Sequence, residues 1–81
     1  MKGKDQKLPL LDIYQAAYLK LHGFTPQLTL DGGRVVFEFP ATEEIYSHCK
    51  SFNGNSPVPV MDFVSSIRQL RSRMIALKEG R

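Results

Sequence analysis

Apolar and polar positions alternate through LTLDGGRVVFEF, residues 28–39. Period-two alternation on both sides of a Gly-Gly pair predicts two β-strands joined by a two-residue turn. With Gly32 and Gly33 as the loop, Asp31 opposes Arg34, Leu30 opposes Val35, Thr29 opposes Val36, Leu28 opposes Phe37 and Gln27 opposes Glu38. Leu28, Leu30, Val35, Phe37 and Phe39 then share one face. Gln27, Thr29, Arg34 and Glu38, with Val36, share the other. A slip of one residue destroys that segregation. The strands are expected from about Thr25 to Leu30 and from about Arg34 to Phe39, where Pro40 stops the second. A hairpin alone is marginal in water, so its apolar face predicts a covering layer of helices.

Three helical patterns supply that layer. The first starts at Asp12, an N-cap with Gln15 at capping-box spacing and Leu11 placed to staple onto Ala16. Tyr14, Ala17, Tyr18 and Leu21 follow helical spacing, and Gly23 ends the run before Phe24. The second helix follows Thr42 as N-cap, with Glu43 and Glu44 in its first turn. Ile45, Cys49 and Phe52 mark its inner side, beside Tyr46, and NGNSP ends it. Proline chemistry extends SPVPV. The third helix, roughly Val60 to Lys78, carries one stripe of Val60, Phe63, Val64, Ile67, Leu70, Met74 and Leu77. The expected fold class is α+β: a two-layer, antiparallel β-hairpin covered on one face by three helices, in the order α-β-β-α-α. A short third strand at Ser56–Val60 stays open as an addition. Residues 9–78 form the single domain, and residues 1–8 read as a flexible tail.

Composition sharpens this little. The chain has 81 residues, 42% of them hydrophobic, which suits one small folded domain with a limited core. No apolar stretch is long enough for a transmembrane helix, and MKGKDQKLPLL lacks the apolar segment of a secretory signal. A single cysteine, Cys49, forms no internal disulfide. The expected setting is therefore cytoplasmic, with no membrane partner. The net charge of +3 is unevenly laid out. Residues 1–11 carry a net +2, residues 12–64 a net −3 and residues 65–81 a net +4. That layout suits a polyanion partner, or basic ends folded back on an acidic middle.

Catalytic and metal chemistry finds little support. His22, His48 and Cys49 show no metal-ligand spacing, and His48 and Cys49 point about 100° apart on a helix. Cys49 reads as an inert inner-face thiol. Ser65, Ser66 and Ser72 have no histidine base nearby in sequence. Asp12 and Glu43 fit helix starts, Asp31 a turn and Glu38 a wet strand face. Gly32-Gly33 lies between strands, whereas a phosphate loop precedes a helix. No catalytic residue, metal ligand or cofactor is assigned.

Surfaces remain. The third helix is about 28 Å long against about 20 Å for a six-residue strand, so Met74, Ile75 and Leu77 are expected to overhang the sheet and want a partner, or to be covered by the first helix or Leu8, Leu10 and Leu11. Arg71 flanks the apolar stripe, either paired internally to Asp12, Glu38 or Glu44 or serving an interface. The hairpin edges can also accept a strand, and PVPV, despite its prolines, is one candidate to pair with one of them.

DIYQAAYLKLHGF, GGRVVFEFP and FNGNSPVPVMDFVSSIRQLRSRM together resemble a small family of uncharacterised bacterial domains. In that family an Asp/Ala-Tyr-Leu-Gly-Phe helix leads into a Phe-x-Phe strand and a closing helix with a Leu-Arg pair. The matching positions here are Asp12, Ala17, Tyr18, Leu19, Gly23, Phe24, Phe37, Phe39, Leu70 and Arg71, within residues 11–76. The resemblance implies a stand-alone bacterial domain, adds no reaction, and makes Tyr18 and Arg71 candidates for a shared role, structural or otherwise. The leading functional expectation is a non-enzymatic protein–protein interaction module. It is expected to form a homodimer through Arg71, Met74, Ile75 and Leu77 or through a hairpin edge. The alternative is nucleic-acid binding, with Arg68, Arg73 and Arg81 on phosphates. A third reading is a small-molecule binder with Tyr14, Tyr18 and Tyr46 lining a cleft, against the commoner role of tyrosine as amphipathic packing.

Overall fold

The computed structural model of the chain describes residues 6–80. The elements run β1 (Lys7–Leu10), α1 (Ile13–Leu21), β2 (Gln27–Asp31), β3 (Arg34–Pro40), α2 (Glu43–Asn53) and α3 (Val60–Glu79). The fold is α+β, with a three-stranded antiparallel sheet in the order β1-β3-β2. The third strand is Lys7–Leu10 and not Ser56–Val60, so the chain order is β-α-β-β-α-α. Lys7 and Leu8 therefore belong to the sheet and not to a tail, while residues 1–5 lie outside the described residues.

The hairpin has the expected register, with Asp31↔Arg34, Leu30↔Val35, Thr29↔Val36, Leu28↔Phe37 and Gln27↔Glu38. Gly32 and Gly33 have φ of 62° and 83°, the two positive values of a type I′ turn. β1 adds Leu8↔Phe39 and Leu10↔Phe37 on the other side of β3. The inner face thus carries Val35, Phe37 and Phe39 in the core, with Leu8, Leu10 and Leu28 half-buried against them. The outer face carries Pro9, Thr29, Val36 and Glu38 around a wide depression. Val36 is buried there because it sits on the central strand, between its neighbours.

α1 is capped by the Asp12 carboxylate, which accepts a hydrogen bond from the Tyr14 amide at 2.9 Å. It ends in a Schellman pair, with Phe24 N–H to Leu19 C=O and Gly23 N–H to Lys20 C=O. Leu11 stays exposed, so the expected staple does not bury it. Four consecutive residues of α1, Ala16 to Leu19, are buried. That wraps most of the way round a helix, because α1 packs on α2, α3 and β1 at once. The one-sided stripe expected at Tyr14, Ala17, Tyr18 and Leu21 is therefore only half right: Tyr14 is exposed and Leu19 is core. Ala16, Ala17 and the buried Ser66 of α3 are small, which suits close approach of the two helices. Lys20 Nζ donates to Gln69 Oε1 at 2.6 Å across the same pair.

α2 is capped by Thr42 Oγ1, which accepts from the Ile45 amide at 3.2 Å. Its end repeats the Schellman pattern, with Ser56 N–H to Ser51 C=O and Asn55 N–H to Phe52 C=O. Here Asn55, at φ 63°, takes the left-handed position. In α3, Phe63, Ser66, Ile67, Leu70, Met74 and Leu77 face inward, whereas Val60 is 69% exposed and so leaves the stripe.

Candidate functional site

The two edges of the sheet differ chemically. A two-residue I′ loop makes Asp31 and Arg34 the first hydrogen-bonded pair, so Thr29↔Val36 and Gln27↔Glu38 are hydrogen-bonded and Leu28 and Leu30 are not. Leu28 and Leu30 therefore turn their backbone N–H and C=O groups to the free edge of β2. On the far side of β3, the same parity gives its bonds at Phe37 and Phe39 to β1, so Lys7 and Pro9 face outward on the β1 edge. Proline offers no donor there, and lysine is a common guard of exposed edges. β1 is a protected edge, whereas QLTLD of β2 carries neither proline nor lysine.

α3 packs over the β2 side of the sheet. The Arg73 guanidinium donates to the Pro26 carbonyl at 3.2 Å, just before β2. Beside the edge, Leu28, Arg73, Ala76 and Leu77 line a shallow groove of about 360 Å³. Leu30 lies on the inner face at the same edge and is 38% exposed.

A second cluster joins α1 to α2. The rings of Tyr18, His22, Phe24, His48 and Phe52 pack together, with His22 and His48 stacked at 4.6 Å between centroids and 25° between planes. Rings so nearly parallel cannot aim in-plane lone pairs at one ion 2 Å away, about the length of a zinc–histidine bond. Among the described residues, no group of three or more His, Cys, Asp or Glu side chains comes together to hold a metal. Sequence spacing did not reveal this cluster, because the two histidines come from different helices. Nearby, Cys49 is half-buried and hydrogen-bonds the Gln15 side chain. Burial pushes its thiol above the ordinary value of 9.0, and the Gln15 bond partly opposes the shift. Gln15 thus reaches across to α2.

The sequence-derived candidates scatter over these features. Met74 and Leu77 are half-buried against the core, and Leu77 lines one groove with Leu28 of the sheet, so they do not overhang it. The exposed large apolar residues of α3 are Val60, Met61 and Ile75. Arg71 and Arg68 are exposed. Arg73 is engaged with a backbone carbonyl, and Arg81 lies outside the described residues. Tyr18 is buried while Arg71 is exposed, so the two occupy different environments. Tyr14 and Tyr46 are each 50% exposed, and only Tyr18 of the three tyrosines lines the cavity it shares with Phe52 and Phe63. No helix among the described residues is long and apolar enough to cross a membrane.

A small two-layer α+β domain with one guarded and one unguarded sheet edge is the class these features define. Residues 6–76 match the family model described as a domain of unknown function, DUF5659. The match spans nearly the whole chain, and the chain belongs to that family. No curated protein and no solved structure shows a significant match.

Proposed function

We propose that this domain is a protein–protein interaction module that self-associates by pairing β2 with β2 of a second copy. The unguarded β2 edge carries the reading. Antiparallel pairing about a two-fold axis at Thr29 sets Leu28 opposite the partner's Leu30, Thr29 opposite Thr29 and Gln27 opposite Asp31. The outward amides and carbonyls of Leu28 and Leu30 then meet in four interchain hydrogen bonds. Such a pairing is isologous and closes at two copies. It joins two three-stranded sheets into one of six strands. Each exposed Leu30 falls beside the partner's Leu28, at the mouth of the groove formed with Leu77. Helix α3 and the hairpin edge become parts of one surface, with Leu77 lining it and Arg71 and Ile75 outside it.

A seam of four backbone bonds and two leucines belongs with weak associations. Sedimentation velocity from about 10 μM to about 1 mM tests it. The expected result is a reversible monomer–dimer equilibrium, abolished by Thr29→Lys, which sets two like charges together on the axis. A monomer at every concentration, or a dimer indifferent to Thr29→Lys, rejects the β2 seam.

A further inference from the structure

A cavity of about 130 Å³ opens where the ring cluster meets the start of α3, lined by Tyr18, Phe52, Asn55, Ser56, Val58 and Phe63. Three larger depressions each carry a charged side chain: Lys7 and Glu38, Asp31 and Glu38, or Arg73. This one carries none. Three aromatic residues and a valine line it, together with the polar residues Asn55 and Ser56. Tyr18, 3% exposed, forms the floor and packs on Phe52 at 5.6 Å between centroids. The remaining wall is the loop between α2 and α3. It is held at one end by the left-handed Asn55 and its Schellman hydrogen bonds, and further along by Pro57 and Pro59. Such a wall has few conformations to lose when a ligand binds.

We infer that this cavity is a binding site for a neutral aromatic compound of one ring bearing a single hydrogen-bonding group, of the phenol class. Size sets the upper limit, since an apolar cavity of about 150 Å³ holds a benzene ring. Ring walls favour edge-to-face contact with a flat guest. A charged guest would be desolvated with no counter-charge among the lining residues, which excludes carboxylates and ammonium groups. Asn55 and Ser56 can each donate and accept a hydrogen bond, so they can orient a phenol hydroxyl. For so small a guest, affinity is about millimolar.

The site shares no residue with the β2 seam, so either reading stands or falls alone. The test is a two-dimensional amide NMR titration of the full chain with p-cresol, phenol and toluene. The expected result is saturable shifts centred on Tyr18, Phe52, Asn55, Ser56, Val58 and Phe63. Val58→Trp, which fills the cavity, should weaken all three probes at least about tenfold while leaving the spectrum dispersed. Ser56→Ala is the second variant, in case Val58→Trp does not fold. It should weaken p-cresol about fivefold and leave toluene unchanged. Shifts that never saturate, that spread over the surface, or that survive both variants overturn the inference.

Discussion

Leu30→Pro separates the edge from the fold. Leu30 pairs with Val35 in a non-hydrogen-bonded position, so its N–H takes no part in the β2–β3 ladder. Proline there removes a donor only from the free edge. In a symmetric dimer the change acts twice and deletes two of the four interchain bonds. At roughly 1 kcal/mol each, that is about 2 kcal/mol, and shortening the exposed Leu30 adds about 1–2 kcal/mol more. Association should weaken by about 100-fold or more. The monomer should lose only about 1 kcal/mol in urea unfolding, because Leu30 is already 38% exposed and Thr29 before it is extended. Thr29→Pro is the control. Its amide does belong to the ladder, at Thr29↔Val36, so this variant should cost the monomer about 3 kcal/mol or more. Sedimentation velocity and urea melts on both variants decide the matter. If Leu30→Pro destabilises the monomer as much as Thr29→Pro, the assigned parity is wrong. A stable Leu30→Pro chain that still dimerises places the seam elsewhere.

Two further outcomes follow from local chemistry. Asn55 holds φ 63° at the end of α2, so Asn55→Gly should raise the unfolding free energy by about 0.5–1 kcal/mol in chemical denaturation. Burial raises the Cys49 thiol above 9.0, so folding disfavours the thiolate. The sign follows: Cys49's contribution is complete below the unfolded value and is lost as pH rises through the higher folded value. Thermal melts of the native chain and Cys49→Ala should therefore converge in relative terms above about pH 9, with the native chain losing ground, and an unchanged difference from pH 7 to pH 10 would refute this.

How legible each part was depends on how local its signal is. The hairpin register was readable because the face pattern and the turn chemistry agree, and all five expected pairs form. Caps at Asp12 and Thr42 and the stop at Gly23 were readable for the same reason, as each is a short-range bond. β1 was not. Lys7–Leu10 has only two apolar inward positions and a proline between them, which reads as a tail unless its partner strand is known. The proline of β1 faces the outer edge, the one place in a strand where it breaks nothing. α1 was misjudged in part because a helix packed on three neighbours keeps only a narrow wet face, at Tyr14, too small to set up a stripe. The ring cluster and the aromatic cavity depend on which helices meet, and no spacing within one segment encodes that.

Recognising β1 changes what the hairpin can do. As two strands it would expose both edges; as three it hides β3 and leaves edges of opposite character. If Pro9 is what guards the β1 side, replacing it should have a specific consequence. Pro9→Thr returns an N–H to the outward-facing position and supplies a residue suited to strands. Its amide is not needed by the Leu8↔Phe39 and Leu10↔Phe37 pairs, so the monomer should keep its stability to within about 1 kcal/mol. The chain would then have two usable edges. Isologous pairing through β2 alone stops at a dimer, but pairing through both edges continues indefinitely. The expected outcome is a shift from dimers to open-ended oligomers, seen as light scattering that grows with concentration and time. Leu30→Pro in the same chain should restore a closed species, now joined through β1. If Pro9→Thr leaves the association state untouched, the proline does not guard that edge, and the asymmetry of the two edges loses its explanation.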